Sequence, residues 1–475
     1  MGRARQGIKE ARKEVGTYDT QVAREVTLDT IKDIFSRLGV KQLYIKSLAP
    51  NDNSKNQPYF GPDLTDLAFL PTGELIASTS TSRKGKAHKE KIKYQASVRL
   101  SWIDPKGQAL SAPNAKLIFY PQYPEVRFSG FLSGSRVQLS EWMDPQKQGR
   151  SAGRWLILGV RDDKHVYAYL AVPGSAIAKA LESAPLIQIS KVFSIISLGT
   201  NEGGISSRDL LIAKLAEVHH MSWITSRKLN ADLTVSPYTA QNGGGYTLEA
   251  VLGISPNGFA QPDYLGWEIK QFGVTDFPAK GAKPTTLMTP EPNGGIYVTE
   301  GPEKFVREFG YPDRNGKENR INFGGRHIAN KAHHLTNLTL CAQGFDPVNK
   351  EIIDANGAIS LIDQEHRIAA SWSFAKLIEH WKTKHAQAAY IPCKKRRNQG
   401  ITEYYYGKNI EFGTGADFRL FISSVLEGSV YYDPGIKLEN ENSDKPVLKR
   451  RSQFRIAHKD IRTIYSSFDF VDILQ

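Results

Sequence analysis

Apolar positions change their period along the chain, and each period predicts a type of element. Leu28, Ile31, Ile34, Phe35 and Leu38 recur at helical spacing before a glycine, which predicts an amphipathic helix. From about residue 41 to 195, short apolar or alternating runs lie between Gly, Pro, Asn and Asp turns, as is typical of strands. The candidate strands are 42–46, 94–103, 116–120, 154–160 and 165–172. Because no regular helices intervene, we expect a sandwich or a barrel-like domain.

Helical and strand periods alternate in the second half of the chain. Residues 199–204 are glycine-rich and suggest a domain boundary, and residues 206–220 predict a helix that Ser206 or Ser207 caps. Further helices are predicted at 246–252, ended by Gly253, and at 366–384, with Ile368, Trp372, Ala375 and Ile378 on one face. A turn at 255–258 and strands at 267–272, 338–341 and 358–362 complete this reading. We therefore predict a helical arm at 1–40, a β-rich domain at 41–198 and an α/β domain at 205–475.

The predicted strand at 267–272 carries charged residues on one face. A period of two places Glu268 and Lys270 together, opposite Trp267 and Ile269. An exposed strand edge with a solvated Glu and Lys would give the same spacing. The alternative is a reactive site, which the apolar residue inside Glu-Ile-Lys and the Pro-Asp upstream favour.

Three carboxylates and one lysine near this strand have a specific chemical use. Asp263 and Glu268 are candidate ligands of Mg²⁺, which prefers oxygen and keeps several waters for a phosphate-bearing substrate. Lys270 would orient or help to deprotonate an attacking water and stabilise charge on the phosphorane. Glu249, on the preceding helix, would serve a second metal or the hydrogen bonding of the site.

These residues resemble the PD-(D/E)xK nuclease motif. With Glu249 fourteen residues before Asp263, the set resembles in particular the MvaI/BcnI family of restriction endonucleases, as do the segments 220–228 and 243–245. The resemblance implies a restriction-endonuclease-like α/β core over 205–475, with a mixed sheet flanked by helices. It also implies Mg²⁺-dependent hydrolysis of double-stranded DNA at a short sequence, leaving 5′-phosphates, as in restriction-modification and phage defence.

The charge of the chain favours a nucleic-acid partner, and its cysteine content favours a reducing compartment. The 475 residues include 62 Lys+Arg and 49 Asp+Glu, a net charge of +13 that favours binding to a polyanion. No apolar run approaches the length of a membrane span, and the charged N-terminus does not resemble an export signal. Two cysteines exclude a disulfide framework and fit a reducing cytoplasm.

Basic residues are concentrated near the C-terminus, where runs at 430–438 and 448–456 predict a hairpin. The MvaI/BcnI family reads bases with a hairpin in this region, and Phe454-Arg455 resembles its closing segment. Neither run of this hairpin has a His before Phe454, so the family's target sequence is not carried over. Solvated strand faces would explain the same charges. The candidate DNA contacts are Asp433, Lys437, Arg450, Arg451, Gln453 and Arg455 in the hairpin, with Arg326 and His327 before it and Arg127 and Arg136 in the β-rich domain.

Residues 44–52, Tyr-Ile-Lys-Ser-Leu-Ala-Pro-Asn-Asp, resemble the start of the effector-DNA-binding domain of EcoRII, a B3-like pseudobarrel. This resemblance implies that the N-terminal domain binds a second, effector DNA. The basic loop at 83–93 is a further candidate for phosphate contact, or a solvated loop. A mismatch- or modification-directed nicking nuclease, an RNA nuclease and a non-catalytic DNA-binding regulator remain as alternatives. One site cuts one strand, so a monomer must reorient or a second subunit must join.

Overall fold

The computed structural model describes residues 19–50, 57–81, 90–137, 139–144, 146–197, 206–254, 263–278, 282–384 and 387–475. Within these ranges the α-helices are α1 (Thr20–Glu25), α2 (Leu28–Arg37), α3 (Ser140–Met143), α4 (Ala176–Ser183), α5 (Ser207–His220), α6 (Gly243–Val251), α7 (Ile296–Thr299), α8 (Pro302–Phe309), α9 (Phe374–Lys384) and α10 (Phe418–Leu426). Two 3₁₀ helices lie at Leu64–Leu67 and His458–Ile464. In the described ranges, no helix is long and apolar enough to cross a membrane.

The strands of the first 200 residues are β1 (Gln42–Leu48), β2 (Tyr59–Gly61), β3 (Ile76–Thr81), β4 (Glu90–Ser97), β5 (Leu100–Ile103), β6 (Ala109–Ala112), β7 (Lys116–Tyr120), β8 (Glu125–Ser129), β9 (Arg154–Val160), β10 (Val166–Ala171), β11 (Ile187–Gln188) and β12 (Ser194–Ser197). They form a seven-stranded sheet in the order β11-β12-β1-β9-β10-β5-β6 and a five-stranded sheet in the order β2-β8-β7-β4-β3. In the described residues both sheets are open, with edge strands at each end, so the prediction of a barrel is not met.

The later strands are β13 (Ile224–Thr225), β14 (Arg227–Leu229), β15 (Val235–Pro237), β16 (Glu268–Gly273), β17 (Thr285–Met288), β18 (Tyr311–Pro312), β19 (Arg320–Gly324), β20 (Thr339–Gln343), β21 (Phe345–Asp346), β22 (Glu351–Ile352), β23 (Ala358–Ile362), β24 (Ile368–Ser373), β25 (Gln387–Asn398), β26 (Ile401–Tyr406), β27 (Asn409–Ala416), β28 (Val430–Tyr432), β29 (Gly435–Glu439), β30 (Val447–Lys449), β31 (Phe454–Ile456) and β32 (Tyr465–Asp472). The largest sheet among them has the order β13-β26-β25-β27-β32, and β16 pairs with β25 in parallel. The second half of the chain is therefore a mixed α/β structure.

Contacts divide the chain into two compact units. Unit 1 contains the described parts of Met1–Glu74, Gln95–Phe119 and Pro124–Asp209, and unit 2 those of Leu75–Tyr94, Tyr120–Tyr123 and Leu210–Gln475. The predicted boundary at 199–204 lies outside the described residues.

The core of unit 1 forms where α2 packs on the seven-stranded sheet. Thr27 caps α2 by accepting a hydrogen bond from Thr30 N at 3.2 Å, and Gly39 follows its end with a φ of +79°. Phe35 is fully buried, which contributes about 1.5–3 kcal/mol. A Cβ added at Gly159 of β9 would lie 2.4 Å from its ring, so the glycine allows the helix to approach the sheet. The predicted helix at 28–38 is confirmed.

The core of unit 2 covers both faces of β16. Trp267, beside the start of β16, and Ile269 pack with Leu215 of α5 and Leu248 of α6 in one cluster. Glu268, on the opposite face, is only 6% exposed. The sequence predicted a half-buried strand. Three of the six residues of β16 are buried and three are half-buried, which confirms the prediction, and the strand pairs with β25 in parallel.

One sequence prediction of element type is wrong in part, and one predicted strand is divided in two. The predicted helix at 366–384 begins only at Phe374, because residues Ile368–Ser373 form β24, which pairs with β23. Trp372 is buried in that sheet and donates a hydrogen bond to Pro290 O at 3.0 Å. The predicted strand at 94–103 is two strands, because the chain passes from the five-stranded sheet in β4 to the seven-stranded sheet in β5.

Candidate active site

Glycines at the start of α6 let this helix approach the sheet that carries the predicted site. A Cβ at Gly243 would lie 2.7 Å from Ser226 Oγ, and one at Gly244 would lie 3.1 Å from the Gln271 side chain on β16. Tyr406 Oη donates to Gly244 O at 2.7 Å. The close approach fixes α6, and with it Glu249, which is half-buried, against β16.

A tight turn connects Asp263 to β16. Tyr264 N donates to Trp267 O at 2.9 Å, and Trp267 N donates to Tyr264 O at 2.8 Å. The two residues between them both have positive φ, 46° at Leu265 and 90° at Gly266, as in a type I′ turn. This reversal brings Asp263 alongside the strand, where its Oδ2 accepts a hydrogen bond from Ile269 N at 2.9 Å.

Glu268 and Lys270 share one face of β16, as the period of two predicted. Lys270 Nζ lies 3.0 Å from Glu268 Oε1, and the side chains are 14% and 7% exposed. A partly buried pair of this kind holds both groups in fixed positions, unlike an exposed pair, which contributes little. The ammonium is therefore oriented beside the carboxylate that the sequence assigned to a metal.

The electrostatics of the site fit a divalent cation. Burial raises the pKa of Asp263 to about 7, and the negative charges of Glu268 and Glu249 add to this, while the Ile269 N–H and Lys270 oppose it. Repulsion among carboxylates is relieved when a cation binds, and carboxylate oxygens are ligands that hard divalent cations prefer. Within the described ranges, no three His, Cys, Asp or Glu side chains form a ready-made cage for a metal. Mg²⁺ needs none, since it commonly binds through one or two carboxylates with water and substrate phosphate.

Buried polar residues that the sequence did not indicate surround this site. Tyr390 of β25 lies opposite Lys270 in the register, and its hydroxyl is 2.8 Å from that of Tyr465. Burial raises the pKa of Tyr390 well above its usual value, and Glu268 contributes to the increase. On the next strand, Glu411 Oε2 lies 3.0 Å from His458 Nε2, and both side chains are buried. No local signal marks these residues, because strand pairing alone brings them beside β16.

The predicted C-terminal hairpin forms a two-part ribbon. Strand β28 pairs with β31, with Tyr431 opposite Arg455, and β29 pairs with β30, with Lys437 opposite Lys449. Arg450 and Arg451 are exposed on the connection between β30 and β31. Lys437 is half-buried.

Other predicted DNA contacts are buried or bonded to groups within the protein. Arg455 Nη1 lies 2.8 Å from Asp433 Oδ2, and Arg455 Nη2 donates to Pro284 O at 2.9 Å. Gln453 is only 6% exposed. His327 is fully buried, with Nε2 2.9 Å from Thr336 Oγ1, so it packs the interior instead of facing DNA as predicted. Arg326 beside it is exposed and lies over the Tyr431 ring.

The candidate contacts in unit 1 differ in environment. Arg127 on β8 is paired with Glu125 at 2.7 Å, whereas Arg136 is exposed. Residues 82–89 of the basic loop, the turn at 255–258 and Pro262 all lie outside the described residues.

Glu249 of α6, the turn-linked Asp263 and the paired Glu268 and Lys270 therefore lie on or beside β16, where the sequence predicted a site. The family model of the MvaI/BcnI restriction endonucleases matches residues 212–465, more than half of the 475-residue chain, and the chain belongs to this family. It is a restriction enzyme, a site-specific deoxyribonuclease of a class that uses divalent metal ions.

Solved structures of restriction endonuclease MvaI are among those similar to the chain. The complex of restriction endonuclease MvaI with its cognate DNA substrate has 17% sequence identity and a TM-score of 0.41, over 56% of this chain and 99% of that one. MvaI in the absence of DNA has 15% identity and a TM-score of 0.32, over 57% of this chain and 100% of that one. No curated protein matches the sequence.

Proposed function

We propose that the protein is a Mg²⁺-dependent restriction endonuclease that cuts double-stranded DNA at a short specific sequence and leaves 5′-phosphate ends. The observation that carries this proposal is the arrangement on and beside β16. Asp263, held by Ile269 N, shares its environment with Glu268 and Glu249, and Lys270 is 3.0 Å from Glu268. A protein that only binds DNA has no need of this set.

In the proposed reaction each side chain has a separate task. Asp263 and Glu268 would hold the cation, which when bound supplies Lewis-acid stabilisation of charge at the scissile phosphate. The Lys270 ammonium, oriented by Glu268, donates a hydrogen bond to the attacking water or to a phosphate oxygen. Glu249 supports the site from α6, either by hydrogen bonding or at a second cation.

DNA binding is proposed for exposed basic residues of unit 2. Arg326, Arg450 and Arg451 are exposed, and the net charge of +13 favours DNA. The MvaI complex contains a cognate DNA substrate, which agrees with a duplex substrate here. We further propose a second, effector DNA for the N-terminal domain, and the cytoplasm as the place of action.

The test is incubation of supercoiled plasmid and phage DNA with the wild type and Asp263→Asn, with Mg²⁺ or with EDTA. Discrete fragments should require Mg²⁺, and Asp263→Asn should lower the cleavage rate by roughly 10²-fold or more, because it removes a charged ligand at the reacting phosphate. Asp162→Asn, which changes an exposed carboxylate in unit 1, is the matched control and should cut normally.

The same gel separates the alternatives. Linear products with 5′-phosphates support a double-strand endonuclease, whereas open circles that never become linear indicate a nicking enzyme. Wild-type protein that leaves both unmodified and modified DNA intact with Mg²⁺ refutes the proposal.

A further inference from the structure

Unit 1 contains a cavity of about 290 Å³ that the nuclease site does not use. Residues of β1, β2, β8 and β9 line it, with the segments that adjoin β1 and β2. Its volume is close to the lower limit for pockets that hold small organic ligands. A bare inorganic ion would fill only a small part of it.

One wall of the cavity presents a buried cation. Lys46 of β1 is 8% exposed, between Tyr44 and Leu48 on the same face of the strand. Its ammonium lies 5.8 Å from the centre of the Phe193 ring, a weak cation–π contact. Within the described ranges, no carboxylate lies within 4 Å of Nζ. Burial lowers the pKa of Lys46 to about 8, so the charge is retained near neutral pH at a cost in stability.

The other cations of the cavity already have partners. Arg154 donates to the backbone oxygens of Ser151, Trp142 and Ala49 at 2.8–2.9 Å, and Arg127 is paired with Glu125. These arginines therefore stabilise the wall and add positive potential. Lys46 is the cation that remains available for a ligand among the residues the structure describes.

Gln57, another residue that lines the cavity, has an unsatisfied acceptor. Gln57 Nε2 donates to Ser129 Oγ at 2.9 Å, while Gln57 Oε1 is buried without a hydrogen-bond partner among the described residues. A buried acceptor without a partner is costly, and a ligand that donates a hydrogen bond would compensate it. Pro50, Pro58 and the half-exposed ring of Tyr59 supply flat apolar surface beside it.

We propose that this cavity binds a single nucleotide, with Lys46 on an anionic or carbonyl oxygen, Gln57 on the edge of the base and Tyr59 against its face. Pockets for bases turned out of a duplex combine these features, since they read the base edge by hydrogen bonds and stack its face on aromatic or apolar groups. The backbone phosphate of an intact duplex binds exposed cations and would not reach a lysine that is 8% exposed.

The nucleotide has two possible sources, a base turned out of DNA or a free mononucleotide. We assign it to DNA, and this choice of source rests on the proposed function. The pocket itself is independent of the nuclease site.

Binding to the full-length protein in EDTA tests the proposal. One series uses the four deoxynucleoside monophosphates and inorganic phosphate in calorimetry. A second series compares a labelled duplex that carries one mismatch with the fully paired duplex, because a mismatched base costs least to turn out. The variants are Lys46→Met and Gln57→Leu, with Lys179→Met, an exposed lysine of the same unit, as the matched control.

Mononucleotides should bind more tightly than phosphate, and Lys46→Met should raise their Kd by about tenfold or more, as loss of a charged hydrogen bond predicts. Gln57→Leu should weaken the binding of mononucleotides but not that of phosphate, and Lys179→Met should change neither affinity. Tighter binding of the mismatched duplex that is lost in Lys46→Met supports a DNA source. Lys46-dependent binding of mononucleotides alone supports a free nucleotide.

Three results overturn the proposal. These are phosphate binding as tight as mononucleotide binding, affinities that do not change in Lys46→Met, and no binding in either series. Circular dichroism and thermal melting show whether each variant is folded. Asp263→Asn should lose cleavage and keep Lys46-dependent binding, so the failure of one proposal is distinguishable from the failure of the other.

Discussion

Replacement of Lys46 by methionine should stabilise unit 1, by an amount that depends on pH. Burial lowers the pKa of this lysine from its usual 10.5 to about 8. Below pH 8 the lysine is charged in both the folded and the unfolded chain, and its burial costs the folded state about 3 kcal/mol. Methionine has a similar length and no charge, so it removes this cost.

The cost decreases as the pH rises. Between pH 8 and 10.5 the unfolded chain binds more protons at this position than the folded chain, so the stability of the wild type increases with pH. The advantage of Lys46→Met should fall from about 3 kcal/mol at pH 7.5 to about 1.5 kcal/mol at pH 9.5. Glu125, Arg127 and Arg154 also line the cavity and are present in both proteins.

Urea denaturation with pulse proteolysis measures this difference. Peptides from β1 and β9, quantified by mass spectrometry, report the unfolding of unit 1 alone. The difference between the urea midpoints of the wild type and Lys46→Met should decrease by roughly 0.5–1 M between pH 7.5 and 9.5, for an ordinary denaturant slope. A gap that stays constant with pH, or a wild type more stable than Lys46→Met at pH 7.5, would refute a desolvated lysine. Lys179→Met should show no pH-dependent gap.

Three further predictions concern unit 2. Gly266→Ala should lower the free energy of unfolding by about 1–2 kcal/mol and should lower cleavage, because φ is 90° in the turn that holds Asp263. Gly316→Ala, at a φ of 77° in another loop, is the control and should lose stability but keep its activity. Burial, and then the charge of His333, lowers the pKa of His327 to about 3. As the pH falls, the unfolded chain therefore binds this proton before the folded chain does. Between pH 7 and 5 the free energy of unfolding of the wild type should fall by about 2 kcal/mol relative to that of His327→Gln, as measured by urea titrations. Arg451→Ala should weaken DNA binding in anisotropy titrations and reduce the salt slope by about one, whereas Gln453→Ala, at a buried position, should change the melting temperature more than the affinity. These assignments are contradicted if the stability difference between the wild type and His327→Gln does not change with pH, or if Arg451→Ala binds DNA with the same salt slope as the wild type.

Local signals were sufficient for several elements of the fold. The cap, apolar stripe and terminal glycine of α2 lie within thirteen residues, and strand β9 has the bounds predicted from its apolar run. The face shared by Glu268 and Lys270 follows from the period of a strand. The contact between Asp263 and Ile269 N requires two consecutive residues with positive φ, one of them Leu265, which no spacing rule indicates.

Long-range pairing decided the elements that the sequence did not predict. Ile368 and Trp372 fit the helical spacing of the run at 366–384, yet pairing with β23 makes Ile368–Ser373 strand β24. The openness of the sheets depends on which strands meet at their edges, a property of the whole sheet. Burial of His327 and Gln453 likewise depends on neighbours distant in sequence, so their side-chain chemistry alone suggested DNA contacts.

Buried charge distinguishes sites from scaffold in this protein. Arg154 is satisfied by three backbone oxygens, so this buried charge helps to hold the fold together. At Asp263 the neighbours repel the charge, and at Lys46 the described neighbours leave it unpaired. Packing for stability alone would remove both groups. We therefore propose a cation as the partner of Asp263 and an electron-rich ligand as the partner of Lys46. Each proposal predicts that the ligand raises the stability of the unit that binds it.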